Sequence, residues 1–204
     1  ISLLKIDWSF KGVFGKFDRG ELRRGYQVYR EVCSSCHSIS QLSYRNLSEK
    51  GGPEFSIEVV KDIAASYEIN DGPNSEGEMF TRQGKLSDKF TNPYPNIEAA
   101  KAANGGAYPP DMSVLAKARK GGAAYIFSLL QGYDEPPEGY QLDEGVYYNK
   151  YIDGNQIKMP NVLFDDLVEY ADGTKATKEQ MSKDISSFLT WVSEPSLETR
   201  HKLG

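Results

Sequence analysis

The sequence predicts a mostly α-helical fold with long irregular loops. Apolar residues recur at three- and four-residue steps over residues 21–32 and again over residues 177–192, which is the spacing of one face of an α-helix. The 204 residues include 19 glycines and 10 prolines, scattered without a period. Because glycine and proline interrupt helices and strands, the segments between the helices are expected to be irregular.

The composition describes a globular chain with a net negative charge. Hydrophobic residues make up 39% of the sequence, and its mean hydropathy is −0.56. The sequence contains no run of about 18 apolar residues, the length that a transmembrane helix needs. A net charge of −5 and an isoelectric point near 5.2 argue against nucleic-acid binding.

The chain begins with an aromatic and basic arm, residues 1–17, which we expect to pack on the body in an extended form. The first helix is predicted over residues 21–32, and Asp18 and Glu21 have the spacing of a capping box at its start. A second helix is predicted over residues 56–67, where apolar residues again fall on one face.

The middle of the chain gives weaker signals. Residues 68–106 show no sustained period and are rich in Asn, Gly, Pro and Ser, which predicts a long irregular loop. Two short helices are predicted at residues 112–120 and 123–131, separated by a pair of glycines. A short hairpin is predicted near residues 147–151.

The strongest helix signal lies near the end of the chain, over residues 177–192. Thr177 and Gln180 form a second capping box. Met181 is the first of several apolar residues on one helical face, and this placement favours a core role for it. Pro195 then ends or kinks the helix.

Residues 33–37, Cys-Ser-Ser-Cys-His, use both cysteines of the chain and one of its two histidines. This C-x-x-C-H spacing is typical of c-type haem attachment. Cys33 and Cys36 can bind the two vinyl groups of one haem, and the imidazole of His37 can then bind its iron. We therefore expect one covalently attached haem c, packed between the first and the last predicted helix.

Two other interpretations of the cysteine pair are weaker. A disulfide or thioredoxin-like redox site needs a strand before the motif, whereas residues 21–32 have a helical pattern. A structural zinc site needs four protein ligands, and the only other histidine, His201, lies far away in the sequence.

A haem iron bound by one histidine has a second axial position, and its ligand decides the chemistry. An open position would favour peroxidase-like activity, and a filled one favours electron transfer. Met159 is the favoured ligand among four methionines, because it lies in a loop directly before Pro160. Met112 and Met79 remain alternatives, and a thioether ligand would raise the iron potential.

The haem propionates need cationic or hydrogen-bonding partners if they are buried. Arg119 is the best candidate, because the corner formed by residues 118–122 is expected to lean towards the interior. An ordinary solvated surface arginine is the alternative.

Two segments concentrate negative charge. Residues 134–144 contain five acidic residues and residues 165–172 contain four, without a Lys or Arg in either segment. They are either solvated loops or an acidic surface that steers a basic protein partner.

Six blocks carry a family resemblance. They are residues 23–37, 104–113, 118–122, 125–133, 169–174 and 191–204. Together they resemble the cytochrome c1 family, the c-type haem subunits of ubiquinol–cytochrome c oxidoreductase. The resemblance spans the chain except for residues 69–101, which resemble an insertion of the bacterial kind.

The resemblance implies one class I cytochrome c-like haem domain over residues 1–204. It implies His37 and Met159 as axial ligands of the iron, and Arg119 near a propionate. Four further residues fall on positions that line the haem pocket in the family: Asn104, Pro109, Pro110 and Tyr125. One departure is that Pro-Asn-Val follows Met159, where the family often has Ala-Pro-Pro.

The resemblance also implies a role and a location. Such a subunit accepts an electron from the Rieske iron–sulfur protein, associates with cytochrome b, and passes the electron to a c-type cytochrome. The complex is a quinol-oxidising enzyme, whereas this chain alone would be a carrier. A C-terminal membrane anchor is expected after Gly204. It would hold the domain at the periplasmic face of a bacterial inner membrane or the intermembrane-space face of a mitochondrial one.

Two other functions are kept as alternatives. One is a free, soluble c-type cytochrome that shuttles electrons, and the other is a peroxidase-like haem enzyme with an open distal position. The small size usual for shuttle cytochromes argues against the first.

Overall fold

Seven α-helices and two small antiparallel sheets form the regular structure of residues 2–203, the part of the chain that the computed structural model describes. The helices are α1 (Arg19–Glu31), α2 (Ile57–Ala65), α3 (Ile97–Ala103), α4 (Leu115–Ala118), α5 (Ala123–Gln131), α6 (Lys178–Ser193) and α7 (Leu197–Leu203). The strands are β1 (Glu68–Asp71), β2 (Phe80–Gln83), β3 (Tyr147–Tyr148) and β4 (Gln156–Ile157), paired as β1–β2 and β3–β4. The predicted mostly α fold with irregular loops is confirmed.

Helices α1 and α6 pack against each other at the centre of the fold. Both begin at the predicted caps. Asp18 accepts a hydrogen bond from the backbone N–H of Glu21 at 2.8 Å, and Thr177 accepts one from Gln180 at 3.0 Å. Gly25 of α1 lies directly against the α6 backbone. Because glycine has no Cβ, the two helices can approach this closely.

A buried ion pair fixes α1 relative to α6. Asp184 of α6 is fully buried, and its two oxygens accept hydrogen bonds from Arg24 Nε at 3.0 Å and Nη2 at 3.2 Å. Gln180 donates a further hydrogen bond to Asp184 at 2.9 Å. Since a buried carboxylate without partners is strongly destabilising, this network favours one relative position of the two helices.

An aromatic core surrounds this helix pair. The rings of Tyr26 and Tyr29 in α1 lie 5.9 Å and 6.1 Å from the ring of Phe188 in α6. Phe90 stacks on Tyr29 at 5.9 Å from the opposite side. Met181 of α6 is fully buried, so the prediction that it belongs to the core is confirmed.

The prediction of an irregular loop over residues 68–106 is wrong. This segment contains the β1–β2 hairpin and α3, and Phe90 within it is buried. Arg82 of β2 holds the hairpin to the following loop, because it donates to Asp71 at 2.6 Å and to Asp88 at 2.7 Å and 2.8 Å. Cross-strand pairing and ion pairs of this kind leave no helical period in the sequence.

Two other predicted elements have different bounds. The helix expected over residues 112–120 is reduced to α4, because the N–H groups of Met112 and Ser113 are used by Ser38 and Asp111 outside any helix. The hairpin expected near residues 147–151 does contain β3, but its partner β4 begins later. The helices predicted over residues 56–67 and 123–131 correspond to α2 and α5 and are confirmed.

The N-terminal arm packs on the body as predicted. Trp8, Phe10 and Phe17 are buried in the core. The ring of Phe10 lies 5.6 Å from that of Trp8 and 5.0 Å from that of Phe17. Across residues 2–203, none of the helices combines the length and the apolar character that crossing a membrane requires.

Candidate functional site

The cysteine motif lies on a tight turn at the end of α1. This helix ends at Glu31, and a 3₁₀ turn over Cys33–Ser35 follows it. The backbone N–H groups of Cys36 and His37 both donate to the carbonyl of Cys33, at 3.1 Å and 2.9 Å. The turn therefore brings two thiols and an imidazole close together, as the sequence predicts.

Both thiols are free. Cys33 is half-buried and packs against the core. Burial raises the pKa of the Cys33 thiol to about 12, so the thiol is neutral at physiological pH. A thioredoxin-like site needs a strand before the motif, whereas helix α1 precedes it here, so the structure argues against a redox pair of that kind.

The imidazole of His37 is fixed by one hydrogen bond. Its Nδ1 lies 2.8 Å from the carbonyl oxygen of Pro110, and because a carbonyl can only accept, Nδ1 carries the proton. Burial lowers the pKa of His37, which favours the neutral ring. The lone pair of a neutral imidazole of this tautomer lies on Nε2, the nitrogen that can bind a metal.

A short strap, residues 110–113, holds the Pro110 carbonyl in place. Asp111 accepts hydrogen bonds from Ser38 Oγ at 2.9 Å, from Ser40 N–H at 2.9 Å and from Ser113 N–H at 2.8 Å. The N–H of Met112 donates to the carbonyl of Ser38 at 2.8 Å. Hydrogen bonds thus fix the strap to Ser38 and Ser40, which directly follow His37.

Asp111 is a site residue that sequence reasoning missed. Burial by itself would raise its pKa, but hydrogen bonds from Ser113 and Ser40 outweigh burial and hold the pKa of Asp111 at about 2. The carboxylate therefore stays charged at neutral pH. The available signal was an Asp placed two residues before a Ser and directly after two prolines, a pattern typical of a side chain that bonds its own backbone.

Met159 lies in the loop that follows β4 and is half-buried. Its carbonyl accepts a hydrogen bond from the hydroxyl of Tyr133 at 2.8 Å, so the backbone of this loop is fixed to the segment after α5. Among the other methionines, Met112 is 5% exposed and Met79 is 67% exposed. The sequence pattern around Met159 did not reveal that Tyr133 fixes the backbone of this loop.

Arg119 and Tyr125 lie on either side of the glycine pair that separates α4 from α5. Arg119 is exposed. The backbone of Arg119 is extended and ends α4. Gly121 and Gly122, with φ values of +97° and +53°, then change the direction of the chain before α5. Burial raises the pKa of Tyr125, whereas the positive charge of Arg119 lowers it.

The remaining predicted residues lie close to α3. The amide of Asn104 donates to the carbonyl of Ala100 at 2.7 Å and to the hydroxyl of Tyr94 at 3.1 Å, and it therefore caps the end of α3. Pro109 is half-buried and leads into the strap. Within residues 2–203, no group of three or more His, Cys, Asp and Glu side chains is placed to hold a metal ion.

The donor set fits a c-type haem. Two free thiols three residues apart can form thioethers, and the imidazole beside them has its Nδ1 bonded and its Nε2 available. A hydrogen bond joins His37 to Pro110, and the charge of Arg119 acts on Tyr125. Asn104 and Met159 make their contacts elsewhere, with Tyr94 and Tyr133.

Comparison with known proteins gives a consistent result. Residues 8–204 match the model of the Cytochrome C1 family. The chain is 53% identical over 197 residues to "Cytochrome c1-2, heme protein, mitochondrial" of Solanum tuberosum, covering 97% of this chain and 75% of that protein. It is 52% identical over 199 residues to "Cytochrome b-c1 complex catalytic subunit, mitochondrial" of Candida albicans, covering 97% of this chain and 68% of that protein.

A bacterial relative is similarly close. The chain is 47% identical over 220 residues to "Cytochrome c1" of Rhodospirillum rubrum, covering 100% of this chain and 80% of that protein. The share of a relative's own length that the chain spans varies, and it is 31% for one curated relative and 80% for the Rhodospirillum rubrum protein. A family match from residue 8 to residue 204 covers almost the whole sequence. The chain therefore belongs to the cytochrome c1 family.

Proposed function

We propose that this chain is the electron-transfer haem subunit of a quinol–cytochrome c oxidoreductase and that it carries one haem c. The observation that supports this most is the His37–Pro110 hydrogen bond at 2.8 Å beside two free thiols. A bound haem c supplies one-electron chemistry, because its iron can be ferrous or ferric. The names of the relatives, "heme protein" and "Cytochrome b-c1 complex", support the same assignment.

The residues of the turn have distinct roles in this proposal. Cys33 and Cys36 hold the group covalently, so it cannot dissociate. His37 would bind the iron through Nε2, while Pro110 keeps the ring oriented through Nδ1. Met159 would supply a thioether ligand, and the hydrogen bond from Tyr133 fixes its backbone.

The other pocket residues act on the periphery of the haem in this proposal. Arg119 is the proposed partner of a propionate, since its side chain is an exposed cation. Tyr125, Asn104 and Pro109 are proposed to line the pocket, as the family resemblance implies. Residues 1–204 would then form one class I cytochrome c-like domain, with residues 69–101 as an insertion.

The proposed partners follow from the family. The subunit would accept an electron from the Rieske iron–sulfur protein, associate with cytochrome b, and deliver the electron to a c-type cytochrome. A C-terminal helix beyond residue 204 would anchor it in the inner membrane. The domain would face the periplasm of a bacterium or the intermembrane space of a mitochondrion.

The first test is covalent attachment. The chain expressed in a host competent in haem ligation should gain the mass of one haem and show a c-type absorption spectrum after denaturation. Cys33→Ser should retain one thioether, and a Cys33→Ser/Cys36→Ser variant should lose its haem on denaturation. A colourless product with the mass of the bare polypeptide would contradict the proposal.

The second test separates electron transfer from the alternatives. The reduced protein should bind carbon monoxide slowly or not at all if a methionine fills the second axial position. Rapid binding to the native protein would instead favour a peroxidase-like site. A free shuttle cytochrome would stay soluble in the parent organism, whereas the proposed subunit should copurify with cytochrome b.

A further inference from the structure

The N-terminal arm carries an exposed apolar turn that the haem site does not use. Val13 is 72% exposed and Phe14 is 90% exposed, although Trp8, Phe10 and Phe17 of the same arm are buried. We call residues 11–16 the arm tip. Within residues 8–17, Val13 and Phe14 are the two large apolar side chains that remain exposed.

The arm tip is a preformed turn. The N–H of Gly15 donates to the carbonyl of Gly12 at 3.0 Å, and the N–H of Lys16 donates to Ser9 at 3.0 Å. Gly12 has a φ of +80°, and a Cβ on Gly15 would collide with the backbone of Phe10. The turn therefore presents its side chains with little loss of backbone entropy on binding.

Two lysines flank these apolar side chains in the sequence. Lys11 and Lys16 are exposed on either side of them, and residues 8–17 contain no Asp or Glu. Helix α7 lies beside the base of the tip, because His201 Nδ1 is bonded to the carbonyl of Gly15 at 2.9 Å. The last turn of α7 adds an exposed Lys202 and a Leu203 that is 84% exposed.

Of the acidic groups near the base, Glu198 is ion-paired within the protein, whereas Asp7 and Asp18 are exposed. Glu198 of α7 accepts hydrogen bonds from Arg19 at 2.6 Å and 2.8 Å and from the N–H of Phe17 at 3.0 Å. Asp18 caps α1 through the N–H of Glu21. The tip itself, residues 11–16, carries two lysines and no acidic residue, in contrast to the net charge of −5 of the whole chain.

We propose that the arm tip inserts Val13 and Phe14 into the headgroup region of an anionic lipid bilayer. Apolar side chains flanked by lysines are typical of segments that lie at a membrane interface, and each lysine near an anionic surface adds attraction. A specific protein interface buries about 800 Å² on each partner and is depleted in lysine, which two side chains on a tight turn do not match. The inference goes beyond the proposed function, because it does not depend on haem.

Flotation of the purified chain with lipid vesicles tests this proposal. The chain should bind vesicles of equal amounts of phosphatidylcholine and phosphatidylglycerol more tightly than vesicles of phosphatidylcholine alone. Phe14→Ser should lower the partition coefficient about tenfold, because burial of one aromatic side chain is lost. Lys11→Gln together with Lys16→Gln should weaken binding to the mixed vesicles only.

Phe164→Ser is the matched control. Phe164 is 56% exposed but is followed by Asp165 and Asp166, so it should not approach an anionic surface, and its loss should leave vesicle binding unchanged. Equal binding by wild type and Phe14→Ser would overturn the proposal, and so would equal losses in Phe14→Ser and Phe164→Ser. If Phe14→Ser binds vesicles normally but fails to copurify with cytochrome b, the tip contacts a protein and the proposal is wrong.

Discussion

His37 has one ring nitrogen bonded within the protein and the other available. The Pro110 carbonyl holds Nδ1 at 2.8 Å, and Asp111 holds Pro110 through its bonds to Ser38, Ser40 and Ser113. A single carboxylate thus connects the histidine segment to the strap that orients it. At the residue scale, the orientation of the imidazole depends on groups 73 residues away in the sequence.

Asp111 should make stability depend on pH in the acid range. Its pKa of about 2 in the folded protein lies below the ordinary value of about 3.9, so its contribution is complete above pH 4 and is lost as the pH falls towards 2. Asp111→Asn should remove this component. Urea unfolding of both proteins across that range should give curves that converge at low pH, and curves that stay parallel would contradict the prediction.

Met159→Leu should leave the haem attached but lower its reduction potential. A thioether ligand raises the potential of haem iron, and leucine has a similar volume without the sulfur. Redox titration and carbon monoxide binding measure both effects. Met79→Leu is the matched control, because Met79 is 67% exposed in the loop between β1 and β2. If Met79→Leu changed the reduction potential and Met159→Leu did not, Met159 would not be the ligand.

The α1–α6 pair is the element that positions the site. Capping residues and apolar periodicity predicted both helices, and the 3₁₀ turn that carries Cys33 begins where α1 ends. The contact itself depends on Gly25 and on the Arg24–Asp184 pair. Helical period alone does not reveal such a contact, because it arises between residues about 160 positions apart.

Gly25→Ala should lower the free energy of unfolding by about 1–3 kcal/mol. A Cβ at residue 25 would overlap the backbone oxygen of Asp184 and lie 2.6 Å from the Cβ of Phe188, and this overlap outweighs the gain of about 1 kcal/mol in helix propensity. Gly20→Ala in the same helix is the control. Its Cβ would meet only the flexible ends of Asp18 and Arg24, at 3.2 Å and 3.3 Å.

Urea denaturation measures both glycine variants. Gly20→Ala should be neutral or slightly stabilising, whereas Gly25→Ala should lower the denaturation midpoint. Equal stability of the two variants would show that α1 and α6 can separate without cost, which contradicts the packing described above.

At the scale of the whole molecule, charge is divided between regions. The two acidic segments hold nine negative charges, more than the net charge of −5, while the arm tip is basic. Glu135, Glu138 and Asp143 are exposed and are available to a basic partner. Such a division favours one orientation of approach for each partner, because surfaces of opposite charge attract each other over distances of about a Debye length.

Charge reversal at Glu135, Glu138 and Asp143 to Lys should slow electron transfer to a basic c-type cytochrome, most strongly at low salt. Stopped-flow rates across a salt series measure the effect. Reversal of Glu58 and Asp62, exposed residues of α2, is the control and should change the rate less. Identical salt dependence in both sets would mean that residues 134–144 are ordinary solvated loop.

The sequence by itself determined the haem motif and the main helices. Residues 33–37 carry both thiols and the imidazole in one short run, and α1, α5 and α6 have local periods, with cap signals at the start of α1 and α6. Each of these signals lies within a few residues of the structure that it predicts. Local chemistry and helical geometry are therefore sufficient to find them.

Only the tertiary structure decided how these parts are held and what they face. The His37–Pro110 bond joins residues 73 positions apart, and the Arg82 network orders a segment that has no period of its own. The core buries Phe10 and Phe17 but leaves Phe14 exposed. Contacts between distant residues depend on how the whole chain packs, so the sequence around each residue does not specify them.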